Sequence, residues 1–142
     1  MSTDRRAVLA GAAAASLAAL APGASRAQAA IDGPIATTRY GKVRGAEVDG
    51  IKVFKGVRYG ADTAPRRFRP ALPPEPWPGV ADALAYGPAS PQLKMTEAVS
   101  EDCLFLNVWT PGLDGKKRPV MVYVHGGAHA SGSGSDPIYD GA

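Results

Sequence analysis

The chain has 142 residues, 45% hydrophobic and 20% charged, with a formal net charge of +3 at pH 7, within the range of an ordinary soluble globular polypeptide. Three of its 16 basic residues and one of its 13 acidic ones fall in the first 29 positions, and the charges that remain are mixed in sign with no basic stripe. Binding a phosphate backbone needs clustered Lys and Arg, so nucleic acid is not expected as a partner. Cys103 is the only cysteine, which excludes a disulfide within the chain and favours a buried thiol acting as a small apolar side chain.

Residues 1–29 read as an export address. A short basic start ends in Arg5-Arg6, an apolar run of Ala, Leu and Val covers Ala7 to Ala21, and a small-residue region ends Ala27-Gln28-Ala29. That is the small-x-small pattern of a signal-peptidase site, with the cut expected between Ala29 and Ala30 or, alternatively, between Ala27 and Gln28. The apolar run is shorter than the roughly 20 residues a bilayer core requires, so no permanent membrane span is expected. The paired arginines before a weakly hydrophobic core resemble a twin-arginine signal, with a Sec signal as the alternative. The export machinery is thus an expected partner and the location periplasmic or secreted; N-terminal sequencing of the exported protein reads the cut directly.

From Ile35 short β-like runs alternate with Gly and Pro. Candidate strands are Ile35 to Arg39, Lys42 to Val48 and Ile51 to Val57, and Asp49-Gly50 between the last two is a hairpin signal. Residues 61–80 carry Pro65, Pro70, Pro73, Pro74, Pro76 and Pro78. Proline fixes φ and lacks a donor, so this stretch is expected to be an irregular surface wrap pinned by Phe68 and Trp77. Leu104 to Trp109 and Pro119 to Val124 are stronger strand candidates, joined by the polar Asp114-Gly115-Lys116-Lys117 turn as a plausible antiparallel pair. The second is almost continuously apolar, as in a strand covered on both faces.

That strand runs into His125-Gly126-Gly127-Ala128. Adjacent glycines permit positive φ and close approach to the main chain, so consecutive N–H groups can converge on a developing oxyanion. A tight turn after a strand is the plainer reading. His125 and His129 are four apart, but the intervening glycines make a loop rather than a helix face, so neither a metal nor any other cofactor is expected.

A second motif gives the first its meaning. Glu101-Asp102-Cys103-Leu104-Phe105-Leu106-Asn107-Val108-Trp109-Thr110-Pro111 resembles the signature of the type-B carboxylesterase and cholinesterase family across all eleven positions. Phe54-Lys55-Gly56-Val57-Arg58-Tyr59-Gly60, Arg67-Phe68-Arg69-Pro70, Trp77-x-Gly79-Val80, Gly87-Pro88, Pro91-Gln92 and Tyr139-Asp140-Gly141 follow the same order. The resemblance implies an α/β fold, the N-terminal portion of an α/β-hydrolase with antiparallel strands leading into the central sheet, over residues 30–142. It further implies a serine esterase acting on a small-molecule carboxylic ester. Gly127 and Ala128 would supply the oxyanion-hole amides, Gly126 would shape the turn, and His125 would hold the loop by hydrogen bonding. Arg67 and Glu101 would form a structural ion pair.

The sequence departs from the family pattern at four places. His129 replaces the usual Phe, Ser90 stands where many relatives have a cysteine partner for Cys103, and Arg58 and Gly60 replace Pro and Ala. The nucleophile elbow Gly-x-Ser-x-Gly does not occur, and Ser131, Ser133 and Ser135 lack the flanking glycines it needs. The Ser-Gly-Ser-Gly-Ser run reads instead as a flexible loop. The family order that the resemblance implies places the serine, then the acid, then the base beyond Ala142, and the 142-residue product is expected to be inactive and poorly soluble alone. A non-catalytic binding or adhesion module on the same fold, or a mispredicted short gene product, is the alternative.

Overall fold

The computed structural model describes residues 32–93 and 97–141; the export segment at 1–29 lies outside them. Six strands follow in order: β1 Ile35–Thr37, β2 Lys42–Arg44, β3 Ala46–Val48, β4 Ile51–Arg58, β5 Val80–Asp82 and β6 Phe105–Thr110. They form two three-stranded sheets. In the first, β2 lies between β1, antiparallel, and β5, parallel; in the second, β4 lies between β3 and β6, both antiparallel.

The Asp49-Gly50 hairpin joins β3 to β4 in the expected register, Val48 opposite Ile51, with both turn residues at positive φ, 49° and 79°. That is the backbone twist a two-residue hairpin loop demands. The run Lys42 to Val48, in contrast, is two strands rather than one. It breaks at Gly45, where a Cβ would strike the Val53 carbonyl and the Phe54 ring. The chain passes there from one sheet to the other, and Gly45 N–H donates to Pro34 O at 2.9 Å.

The core sits at this junction. Val43, Phe54 and Ala83 are buried together, with Ala36, Val57 and Trp77 packed against them. Apolar area removed from water by these side chains is the main force holding the two sheets as one body. Ala83 ties the sheets through backbone as well, donating to Arg44 O at 2.7 Å and accepting from Lys55 N–H at 2.8 Å.

The proline-rich stretch is irregular as expected, apart from one 3-10 turn at Ala64–Arg66. Trp77 is an anchor: its indole N–H donates to Lys42 O at 2.9 Å while its ring reaches the core. Phe68 is not. It is 98% exposed, at φ 61°, because the positive φ turns its side chain out from the wrap and Arg67 covers it from one side only.

Two further expectations are corrected. Pro119 to Val124 forms no strand, and Val120, Met121, Val122 and Val124 are more than 80% exposed. A strand exists only where a neighbour accepts and donates along its edge, and no described residue takes that place. The expected partner, β6, is paired with β4 instead. The turn between them closes on itself: Arg118 grips Asp114 through two bonds of 2.6 and 2.8 Å. No helix among the described residues is long and apolar enough to cross a membrane.

Candidate active site

The loop that follows the apolar run is a tight turn with an unusual backbone. Gly127, Ala128 and His129 have φ of 134°, 52° and 60° in succession. Left-handed conformations cost a non-glycine residue about 1–2 kcal/mol, so the turn must be held. Its own hydrogen bonds do so, with Ala130 N–H and Ser131 N–H both donating to Gly127 O, at 2.9 and 3.1 Å. Position 127 admits only glycine, because a Cβ would fall on the Ser131 carbonyl.

Among the described residues no acceptor meets the N–H of Gly127 or of Ala128. His125 Nδ1 stands 2.8 Å from Gly126 O; since a carbonyl only accepts, Nδ1 carries the proton. The Tyr123 and Tyr139 rings meet at 4.9 Å between centroids, tilted by 38°. Burial, and then Tyr123, push the Tyr139 phenol above its ordinary value.

The serine–glycine run beyond the turn is pinned, which corrects the flexible loop expected from composition. Gln92 Nε2 donates to Gly132 O at 2.9 Å, Asn107 Nδ2 donates to Gly134 O at 3.1 Å, and Ser133 Oγ donates to Glu97 Oε2 at 3.2 Å. Ser135 Oγ donates to the same carboxylate oxygen. Sequence reasoning missed Gln92, Asn107 and Glu97. The first two lay inside stretches that resemble the family, but nothing local shows that their amides reach 27 to 40 residues along the chain.

Glu101 and Asp102 each have an arginine of their own. Arg67 Nε lies 3.2 Å from Glu101 Oε1, with the arginine side chain 61% exposed. Arg58 holds Asp102 with two bonds, 2.5 and 2.6 Å, and stacks over Phe105 at 4.5 Å. A bidentate pair is the stronger arrangement, so the arginine that replaces the usual proline is the better anchored of the two.

Hydrogen bonding from Arg58 holds the Asp102 carboxyl below its ordinary range. A depressed folded pKa contributes stability that is present above the unfolded value, about 3.9, and is lost as pH falls through the folded value. Asp102→Asn should therefore lower the thermal midpoint at pH 6 and narrow its difference from wild type at pH 3. Equal loss at both values would show that the pair adds no pH-dependent stability.

Cys103 is half-buried and free, and burial, then Glu101, push its thiol up. Such a thiol is a poor nucleophile.

Residues 32–142 match the family described as the carboxylesterase family. Para-nitrobenzyl esterase of Bacillus subtilis (strain 168) is 45% identical over 117 residues, which cover 76% of this chain and 24% of that protein. Phenmedipham hydrolase of Pseudarthrobacter oxydans is 44% identical over 118 residues, covering 75% and 24%. A crystal structure of the Geobacillus stearothermophilus carboxylesterase at pH 6.8 superposes with a TM-score of 0.71 at 47% identity, over 75% of this chain and 22% of that one. The chain thus spans about a quarter of the length of the curated relatives it matches. Its two sheets are the first portion of an α/β-hydrolase fold, incomplete here. With the match extending over well more than half of its residues, the chain belongs to the carboxylesterase family, a family of hydrolases.

Proposed function

We propose that this chain supplies the oxyanion-binding part of a serine esterase that cleaves small-molecule carboxylic esters through an acyl-enzyme. A serine hydroxyl attacks the ester carbonyl, and the carbonyl oxygen becomes an anion in the tetrahedral intermediate. The N–H groups of Gly127 and Ala128 donate to that anion. Collapse expels the alcohol and leaves the acyl group on the serine, and water then releases the acid by the same sequence. The donors stabilise charge only as it develops, so they act on kcat rather than on substrate binding.

The observation that carries this reading is the pair of adjacent amides without acceptors at the head of a strained turn. The nucleophile elbow is not within the 142 residues, so the activity is proposed for a polypeptide that joins them to one. Its test is the hydrolysis of para-nitrophenyl acetate by that polypeptide, before and after labelling with a serine-directed fluorophosphonate. Turnover that disappears on labelling supports the acyl-enzyme; turnover that persists after complete labelling refutes it.

A further inference from the structure

The turn at 127–129 is strained, yet the hydrogen bonds inside it span only a few residues. What fixes its position lies outside it. Gly132, at φ 107°, folds back so closely that a Cβ there would meet the Gly126 carbonyl and His125 Nδ1. Gly132 and Gly126 thus lie against each other backbone to backbone, so a shift at Gly132 bears on the residue that precedes the two amides.

Gly132 is held by Gln92. The Gln92 amide donates to Ser90 O at 3.1 Å and to Gly132 O at 2.9 Å. Gln92 is itself placed by a closed base: Ala89 N–H donates to Ala98 O at 3.0 Å and Ser100 N–H to Ala89 O at 2.9 Å. Two residues further along the returning limb, Asn107 holds Gly134. Its Oδ1 accepts from Gly56 N–H at 2.9 Å, where β4 bulges against β6, while its Nδ2 donates to Gly134 O. One side chain thus satisfies a bulge amide that the ladder leaves over and anchors the loop to the sheet.

We infer that Gln92 and Asn107 are positioning residues for the oxyanion turn, acting through Gly132 and Gly134 rather than on substrate. The inference rests on the reading of Gly127 and Ala128 as oxyanion donors. Both bonds end on main-chain carbonyls, so they fix backbone rather than side chains. Catalytic donors displaced by about 1 Å can lose on the order of a hundredfold in rate, which makes the placement of this limb matter.

Two substitutions cut the donations with little change in side-chain size, Gln92→Met removing the bond to Ser90 O together with that to Gly132 O. Gln92→Met keeps length and shape and removes an Oε1 that is buried without a partner. Asn107→Asp keeps the acceptor for Gly56 N–H and removes the donor to Gly134. In the esterase polypeptide, hydrogen exchange of the Ala130, Ser131 and Ser135 amides should rise at least about fivefold in the double variant, the scale of one lost hydrogen bond, while exchange in β4 and β6 stays near wild type. In the esterase polypeptide, kcat should fall about tenfold or more with KM retained. Unchanged loop exchange overturns the inference, and so does faster exchange with full kcat. Failure of the oxyanion reading looks different: Gly127→Ala then leaves kcat intact while the exchange result stands.

Discussion

Gly127→Ala should lower the kcat of the esterase polypeptide by about 10²–10³ with little change in KM, the loss measured when one oxyanion donor is removed from a serine hydrolase. Two effects act together. At φ 134° an alanine is strained whatever space surrounds it, and its methyl would fall on the Ser131 carbonyl that the turn holds close. The turn must open, which displaces the Gly127 and Ala128 amides from their present positions. Gly126→Ala is the informative contrast. A Cβ at 126 has nothing within 4 Å and the residue is not at positive φ, so its loss should be much smaller. Steady-state kinetics on a para-nitrophenyl ester, with thermal midpoints to confirm folding, measure both. Equal effects at 126 and 127 would mean that general loop damage, and not the lost donor, explains the result.

The largest effect on stability is expected at Phe54→Ala. Phe54 is 3% exposed and stands where both sheets meet, against Val43 and Ala83, with its ring under Gly45. Truncating a buried Phe costs about 3–5 kcal/mol, a large part of the roughly 5–15 kcal/mol that a domain has in hand. The surrounding core is small, with only Val43 and Ala83 buried in the same cluster among the described residues and Ala36, Val57 and Trp77 packed against it, so little else can close the cavity. Urea unfolding followed by Trp77 fluorescence reports the change, because Trp77 packs on the same cluster. A shift below about 1 kcal/mol would show that the core can collapse around the gap.

The hairpin was legible because its cause is local. Asp49-Gly50 can adopt positive φ cheaply, and the runs on either side alternate. The proline wrap was legible for the same reason, since the missing donors are a property of each residue. What could not be read depends on distant contacts. Gly45 looks like any glycine in a strand until Phe54 is seen beneath it. Phe68 and Trp77 are both aromatic in the same wrap, but only Trp77 carries a donor, which reaches an acceptor 35 residues back in β2 while its ring packs on the core.

At the site, the glycine pair and its setting were visible in sequence, whereas the residues that hold them were not. Gln92 and Asn107 use amides that any surface residue could carry, and only the fold brings them to Gly132 and Gly134. The apolar pattern of Pro119 to Val124 is that of a covered strand. Pattern declares what a segment can pair with, not whether a neighbour stands beside it, and here none of the described residues does.

The corner at Gly45 makes the β3–β4 register answer to something outside the hairpin. A slip by one residue would bring Arg44 or Ala46 to the point above the Phe54 ring, where a Cβ does not fit. Turn type and loop length fix a hairpin's register, and the Asp49-Gly50 turn does so from one end. Here the turn at one end and an aromatic ring from the opposing strand at the other select the same alignment, so a slipped pairing is penalised at both ends of the hairpin.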